Sequence, residues 1–242
     1  MKIIKLNATD STNSYLKKLL NNKALDDLTT VISTNQTNGR GRNGKIWINE
    51  PNLNLAFSVF KSLKNTFAKD KFLLNIVSSI SVYQLLKEYN LNNLSIKWPN
   101  DVMVNDKKVS GILIENVIRA KKISHTVIGV GININQTKFK ELPYATSVLI
   151  ETGKQFSIDK ISVDLLKIFK KNFNLFQKNK NLLIKIYNKN LYRKDQISNF
   201  QTSKNEILSA QIIGVCESGE LNLMLSSNKV VKYFENEIKM KI

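Results

Sequence analysis

The stretch at residues 97–113 constrains the fold of this chain more than any other part of its sequence. It reads KWPND, a short gap and then KKVSGIL. The apolar residues over 102–104 and 109–114 predict a hairpin that turns at residues 105–108. Lys97 then lies beside packed strands, where a charge without a partner is costly. The sequence therefore predicts an anionic partner for Lys97, and a bound substrate is the candidate.

A second polar segment, QTNGRGRNG at residues 36–44, lies upstream, with Trp47 just beyond it. Its glycines let the backbone adopt positive φ and come close to a ligand. Arg40 and Arg42 offer forked, permanently charged donors that suit carboxylate and phosphate. The GxxxxGK[ST] pattern of a P-loop is absent. The segment fits an anion site, although glycine-arginine loops also occur as RNA-binding segments and as solvated linkers.

A predicted strand at residues 126–135 carries small residues on one of its faces. Apolar residues alternate there with Gly129, Gly131 and Asn133. Two glycines on one face leave room for a ligand to lie flat against the backbone. A tight sheet crossing would explain them equally well. Asn133 is the first polar side chain beside the gap.

The patterning along the chain predicts an α+β fold with a small β-barrel at its C-terminal end. Capping residues at 10–13 open a first helix, and helical spacing of apolar residues predicts further helices over 71–89, 158–177 and 182–191. Alternation predicts strands over 29–34 and 53–59. After Arg193 the chain changes to short strands, over 207–216, 221–225 and 229–234. We therefore divide it into domains at 1–193 and 194–242.

The net charge raises the possibility of a nucleic-acid partner. The chain has 37 Lys and Arg against 19 Asp and Glu, a formal charge of +18. The lysines are spread along the chain, and asparagine and isoleucine are abundant too, which favours a coding bias toward A/T-rich codons. Alternatively, the positive charge could attract an acidic partner protein without any nucleic-acid binding.

Several classes of protein are disfavoured by what the sequence lacks. No apolar run approaches the ~18 residues that cross a bilayer, and the N-terminal residues lack the apolar core of a signal peptide. A single cysteine, Cys216, excludes an intramolecular disulfide framework. With His125 as the lone histidine, a His/Cys zinc site is disfavoured as well, and no metal site is predicted. We expect a soluble, cytoplasmic protein without a membrane partner.

The order and spacing of the motifs resemble those of the biotin protein ligases. The matching segments are GRGRNG at 39–44 with Trp47, KWPND at 97–101, GILIE at 111–115, GVGIN at 129–133, STN at 11–13 and ATS at 145–147. The resemblance covers nearly the whole chain. It implies the class II synthetase-like biotin/lipoate ligase fold, with a mixed or antiparallel sheet, helices on one side and an SH3-like C-terminal barrel. Residues 1–193 would then bind biotin and ATP.

The resemblance implies a reaction in two steps. ATP and biotin first give biotinyl-5'-AMP and pyrophosphate, with Mg²⁺ on the phosphates. The ε-amine of one lysine on a biotin carboxyl carrier protein or carboxylase biotin domain then attacks the mixed anhydride and releases AMP. Carboxylate and polyphosphate repel each other unless cations lie between them, and Arg40, Arg42 and Lys97 are the expected catalytic cations. Lys97 would bridge the biotin carboxylate and the α-phosphate.

The resemblance also implies a set of binding residues, in which short polar side chains read the neutral ureido ring. The expected biotin site comprises Ser11, Thr12, Asn13, Gln36, Gly39, Arg40, Gly41, Arg42, Lys97, Gly111 and Leu113. The expected adenylate site comprises Arg42, Trp47, Asn100, Gly131 and Asn133. The segment at 11–13 can equally be a plain helix cap, and both roles can coexist. The glycine-arginine loop would be mobile when empty and would order over the ligand.

Two departures from the family pattern affect these expectations. Asn43 stands where a further basic residue is common. Met1 lies a few residues before the first motif, whereas repressor-type relatives carry a helix-turn-helix domain there, so we expect a monofunctional ligase without specific DNA binding. A monomer and a homodimer both remain open. The alternatives are a lipoate–protein ligase of the same superfamily and, in another class, a basic nucleic-acid-binding protein.

Overall fold

The computed structural model describes residues 2–140 and 142–241, which form two β-sheets. The larger sheet has seven strands in the order β1-β2-β3-β7-β6-β5-β4. They are β1 (Ile3–Leu6), β2 (Thr30–Ser33), β3 (Asn54–Ser62), β4 (Leu94–Lys97), β5 (Asp101–Val104), β6 (Lys107–Arg119) and β7 (Lys122–Asn133). The β1–β2 pair is parallel and the other neighbours are antiparallel, so the sheet is mixed.

The helices of the described residues cover the two faces of this sheet unequally. They are α1 (Thr12–Asn22), α2 (Phe72–Glu88), α3 (Val148–Thr152), α4 (Ile158–Lys178) and α5 (Lys180–Lys189). The pairs α2–α4 and α2–α5 pack together over one face, where Phe57 of β3 stacks on Phe169 of α4 with ring centroids 5.8 Å apart. The helix α1 packs on the opposite face, where Leu16 meets Val31, Phe60 and Val127.

The spacing of apolar residues predicts an amphipathic helix over 71–89, but α2 is buried around most of its circumference. Its serines are buried with its leucines and isoleucines. The hydroxyls of Ser78 and Ser81 donate to the carbonyl oxygens of Leu74 and Val77, at 2.6 and 2.7 Å, so neither needs water. One side of α2 packs on the sheet, and α4 and α5 cover the side that faces away from it. Both sides of α2 are therefore buried.

The smaller sheet lies at the C-terminal end and has five antiparallel strands in the order β11-β10-β9-β8-β12. They are β8 (Ile197–Thr202), β9 (Ile207–Val215), β10 (Leu221–Met224), β11 (Val230–Tyr233) and β12 (Ile238–Met240). The connecting segment bonds to both sheets, because Tyr192 N donates to Ile96 O at 2.9 Å and Asp195 N to Ile212 O at 2.8 Å. A domain boundary near residue 193 therefore stays a prediction.

No helix in the described parts of the chain is both long enough and apolar enough to cross a membrane.

Candidate active site

A row of paired residues crosses the middle of the large sheet. Lys97 lies opposite Asp101, and Asp101 lies opposite Gly111. Gly111 in turn lies opposite Gly131, and Gly131 opposite Ala56. Residues directly opposite one another on antiparallel strands point to the same face. The row therefore presents a charged end at Lys97 and a nearly bare backbone in the middle, on the face that α2 and α4 leave uncovered.

This row forms the floor of a cleft of about 330 Å³. Most of the residues expected from the sequence line it. They are Ser11, Thr12, Asn13, Gln36, Arg40, Gly41, Arg42, Trp47, Lys97, Asn100, Gly111, Leu113 and Gly131. One cleft therefore collects the start of α1, the glycine-arginine loop, the KWPND turn and the glycines of β6 and β7.

Two expected residues, Gly39 and Asn133, do not line the cleft. Gly39 is buried in the loop, where its carbonyl oxygen accepts from Trp47 N at 2.9 Å and a Cβ would lie 3.1 Å from Gln36 Nε2. Asn133 is buried, and its Nδ2 donates to Thr146 O at 2.9 Å. Both residues shape the walls, since Gly39 closes the loop and Asn133 ties β7 to the segment before α3.

Hydrogen bonds tie the KWPND turn to β6 and to the segment between β9 and β10. Asn100 Nδ2 donates to Ile112 O at 2.8 Å, and Ile112 N donates to Asn100 O at 3.0 Å. The Trp98–Pro99 peptide bond is cis. Trp98 Nε1 donates to Gly219 O of the small sheet at 3.0 Å. These contacts fix the end of β4, and so the position from which Lys97 extends into the cleft.

The segment at 11–13 forms a buried polar pocket rather than a plain cap. Ser11 is the N-cap residue of α1, but its hydroxyl makes no capping hydrogen bond. Gln36 Oε1 accepts from Thr12 N at 2.9 Å and from Thr12 Oγ1 at 3.1 Å. Ser58 Oγ donates to Asn13 Oδ1 at 2.6 Å. Neutral donors and acceptors therefore collect at this end of the cleft, as the recognition of a polar, uncharged ring requires.

The ring of Trp47 lies over the glycines in the centre of the floor. A Cβ at Gly131 would lie 2.6 Å from Trp47 Nε1, and one at Gly111 would lie 3.0 Å from Trp47 Cζ3. The indole nitrogen is buried and has no hydrogen-bond partner among the residues that the structure describes. The glycines thus provide the flat surface that the sequence predicts, and in this structure an aromatic ring of the protein covers it.

The opposite end of the cleft is strongly cationic. Burial lowers the pKa of Lys97, and the nearby charges of Lys108, Lys239 and Lys45 lower it further, while Asp101 opposes them. The carboxylate of Asp101 is itself engaged by Lys108 Nζ at 2.7 Å. A cluster of ammonium groups that depresses a lysine pKa is stabilised by a bound anion.

The loop arginines have different surroundings. The side chain of Arg42 is 21% exposed and pairs through Nη2 with Glu235. Its Nη1 is buried and has no partner within residues 2–140 and 142–241. Arg40 is more exposed, and its Nη1 lies 3.3 Å from Glu115 Oε1. Arg42 is therefore the loop arginine with an unused buried donor in the cleft.

Sequence reasoning missed several cleft residues. Lys108 was assigned to a turn, although it stands three residues before Gly111 and its ammonium lies 5.4 Å from the centre of the Trp47 ring. Lys45 also lines the cleft, beside Asn43, whose φ of 52° is a conformation that asparagine tolerates better than most residues. The charge missing at Asn43 is thus supplied two positions later. Glu235 lies in the turn between β11 and β12, Lys239 lies in β12, and no motif marks either residue.

Among the described residues, no group of three or more His, Cys, Asp or Glu side chains is arranged to hold a metal ion.

Comparison with known proteins finds similarity to ligases. A sequence model of the biotin/lipoate A/B protein ligase family matches residues 6–133. The chain is 29% identical over 169 residues to the bifunctional ligase/repressor BirA of Bacillus subtilis, covering 67% of this chain and 51% of that protein. It is 31% identical over 128 residues to the biotin–[acetyl-CoA-carboxylase] ligase of Paracoccus denitrificans, covering 52% of each. The chain spans about half the length of the curated relatives that it matches.

The fold is shared with a solved structure, that of biotin protein ligase from Aquifex aeolicus in complex with biotin and ATP. The TM-score is 0.83 at 24% sequence identity, and the match covers 99% of this chain and 98% of that one. The α+β fold predicted from the sequence, with its additional C-terminal sheet, is thereby confirmed.

Proposed function

The chain belongs to the biotin/lipoate A/B protein ligase family, and we propose that it is a biotin protein ligase. It activates biotin with ATP to biotinyl-5'-AMP and transfers the biotin to a lysine of a biotin carboxyl carrier domain. The observation that carries this proposal is the polarity of the cleft, which is neutral at the α1 end and cationic at the Lys97 end. A ligand with an uncharged polar head and an anionic tail fits that gradient.

The neutral end supports recognition of the ureido ring. Ser11, Thr12 and Asn13 line it, and each is about 3% exposed, so their polar atoms are shielded from water. Thr12 and Asn13 already hydrogen-bond within the protein, to Gln36, Ser58 and Glu115, so their orientation is fixed before a ligand arrives. A ligand that uses their remaining donors and acceptors adds hydrogen bonds that are shielded from water. Lipoate carries no ureido group, so this pocket favours biotin over lipoate.

The cationic end supports adenylate formation. Lys97, Arg42 and Lys108 line the same cleft. We expect them to offset the repulsion between the biotin carboxylate and the α-phosphate. Mg²⁺ is expected to arrive on the phosphate oxygens of ATP, where it neutralises charge on the leaving pyrophosphate. The cleft carboxylates of Asp101 and Glu235 are each already paired with a basic side chain. We therefore expect the phosphates of ATP, rather than these carboxylates, to supply the ligands of Mg²⁺.

The acceptor in this proposal is a biotin carboxyl carrier protein or carboxylase biotin domain. The Paracoccus relative is named for acetyl-CoA carboxylase, which supports an acceptor of that class. Three expectations from the sequence stay predictions, namely a cytoplasmic location, the absence of specific DNA binding, and either a monomeric or a homodimeric state.

Biotin-dependent ATP–pyrophosphate exchange, followed by avidin detection of a labelled carrier, tests the proposal. We expect exchange with biotin and none without it. A parallel reaction with lipoate separates the two ligase classes, and transfer of lipoate without transfer of biotin would contradict the proposal. A nucleic-acid-binding protein would instead show salt-sensitive binding to generic DNA and no exchange.

The lowered pKa of Lys97 predicts the pH dependence of the exchange reaction. The protonated ammonium is the active form, and its pKa lies below the ordinary lysine value of 10.5. As the pH rises through that lowered pKa, Lys97 loses its proton and its positive charge. The value of kcat/KM for biotin should therefore begin to fall at a lower pH than it would if the active group were an exposed lysine. Arginine keeps its proton throughout this range, so Lys97→Arg should move the alkaline limb to higher pH at a reduced rate. An unmoved limb in this variant would assign it to another group.

A further inference from the structure

Glu115 of β6 connects three segments at the α1 end of the cleft, where its negative charge is balanced by Lys17 and Arg40. Its Oε2 accepts from Asn13 Nδ2 at 2.9 Å. Its Oε1 accepts from Lys17 Nζ at 2.7 Å and from Arg40 Nη1 at 3.3 Å. One carboxylate therefore joins the start of α1, its second turn and the glycine-arginine loop to the same strand.

The carboxylate of Glu115 is charged and largely shielded. Its side chain is 21% exposed. Burial by itself would raise the pKa of Glu115, but the hydrogen bonds from Lys17 and Asn13 and the charges of Lys17 and Arg40 outweigh burial and lower the pKa. Glu115 is therefore ionised at neutral pH, and its contacts with Lys17 and Arg40 are charge-assisted.

The contact with Glu115 fixes the orientation of the Asn13 amide. A buried amide can present either its oxygen or its nitrogen in a given direction, and the hydrogen-bond network decides which. Here Ser58 Oγ donates to the Asn13 oxygen at 2.6 Å, and the Asn13 nitrogen faces the carboxylate of Glu115. Glu115 accepts hydrogen bonds and donates none, so it holds the nitrogen on its own side.

The contact with Arg40 ties the glycine-arginine loop to the sheet that carries the pocket. Within the loop, the backbone hydrogen bonds of Gly39 and Gly41 run to Trp47 and Lys45, which lie in the same loop. The two arginines reach outward, Arg42 to Glu235 of the small sheet and Arg40 to Glu115. Arg40 is thus the arginine that links the loop to the polar pocket.

We propose that Glu115 is a positioning residue that holds the Asn13 amide for biotin recognition and, through Arg40, holds the glycine-arginine loop against the same pocket. This inference rests on the proposed function. Glu115 does not touch the reacting atoms. It holds the amide that reads the ring and the guanidinium that anchors the loop, so the free energy of each arrangement depends on the other.

Glu115→Gln tests the coupling, because glutamine keeps the length of the side chain and loses its charge. We expect the Kd for biotin, measured by calorimetry, to rise about 10-fold, while the KM for ATP and kcat at saturating biotin stay within about 2-fold. Trypsin cleavage after the loop arginines should be slowed by biotin in the wild-type protein and no longer in the variant. A merely structural defect would lower the melting temperature and kcat together.

Lys17→Ala is the matched control, because it removes another partner of the same carboxylate and leaves the loop contact in place. We expect it to change biotin affinity by less than about 2-fold. In the double variant Glu115→Gln/Arg40→Ala, the loss of affinity should be smaller than the product of the two single losses. If Glu115→Gln does not fold, Glu115→Asp replaces it in the same cycle, since a shorter side chain should lose the 3.3 Å contact first.

Two outcomes would overturn the inference, namely wild-type biotin affinity in the Glu115 variant, or losses in the double variant that multiply fully. Both leave the proposed function intact, because the wild-type protein then still binds biotin. Absence of biotin binding by the wild-type protein would instead remove the proposed function itself.

Discussion

Replacement of Lys97 with alanine is expected to lower the rate of biotin-dependent ATP–pyrophosphate exchange by about 10²–10³-fold, the loss typical of removing one donor to developing charge. Lys97 stands at the charged end of the row that crosses the sheet, on a turn fixed by Asn100. Its burial lowers its pKa, so the ammonium is poorly solvated and interacts strongly with an anion. Rapid-quench measurement of biotinyl-5'-AMP formation reports this step directly.

Lys107→Ala provides the matched control for this prediction. Lys107 begins β6, is exposed, and is not among the residues that line the cleft. It should form the adenylate at the wild-type rate, which separates loss of a specific cation from loss of general positive charge. A Lys97→Ala protein that forms the adenylate at the normal rate would refute the assigned role of Lys97.

The residues predicted for the centre of the site lie together in the structure, and local chemistry explains why the sequence indicates them. A lysine in a buried strand needs an anionic partner because burying an unpaired charge is costly. Glycines on neighbouring strands leave the backbone exposed because they carry no side chain. Both properties belong to the residues themselves and do not depend on distant parts of the chain. Lys97, Gly111 and Gly131 consequently lie in one row, as their motifs indicate. The long helices α2 and α4 and the long strands β6 and β7 are predictable for a related reason. Each is long enough for its apolar residues to repeat at a regular spacing.

The elements that sequence reasoning missed are short or depend on distant partners. The strands β1, β4 and β12 have four residues or fewer and were not predicted, whereas the four-residue strands β2, β5, β10 and β11 were. Lys239 reaches the cleft only because β12 folds against β8 and the small sheet lies beside the KWPND turn. No local pattern encodes such a contact.

The position of Asn133 shows where a face assignment stops being sufficient. The alternation places it correctly on the face of Gly131. It lies one row further along the strand, however, where Thr146 accepts its amide hydrogen and where the cleft has ended. Periodicity identifies the face of a strand, but the extent of a cavity along that face depends on the segments that close over it.

Replacement of Gly129 with alanine is expected to weaken biotin binding by at least about 100-fold, a free-energy change of roughly 2.7 kcal/mol. A Cβ at this position would lie 2.5 Å from Asn13 Oδ1 and 3.1 Å from Asn13 Nδ2. The side chain of Asn13 is 3% exposed and is hydrogen-bonded to Ser58 and Glu115. It therefore cannot move aside without losing those contacts. Its amide must rotate, which breaks the hydrogen bonds that orient it. Calorimetric titration with biotin measures the loss.

Gly153→Ala separates this loss from general destabilisation. Gly153 ends α3 with a φ of 70°, and a Cβ there would meet nothing within 4 Å, so its substitution strains the backbone without touching the cleft. Alanine in that conformation costs about 1–2 kcal/mol of stability, and biotin affinity should stay unchanged. At Gly129 the alanine disturbs Asn13, a side chain of the pocket. The Gly129→Ala protein should therefore lose biotin affinity even at temperatures where both variants are fully folded. Equal biotin affinities for the two variants would show that Asn13 does not read the ligand.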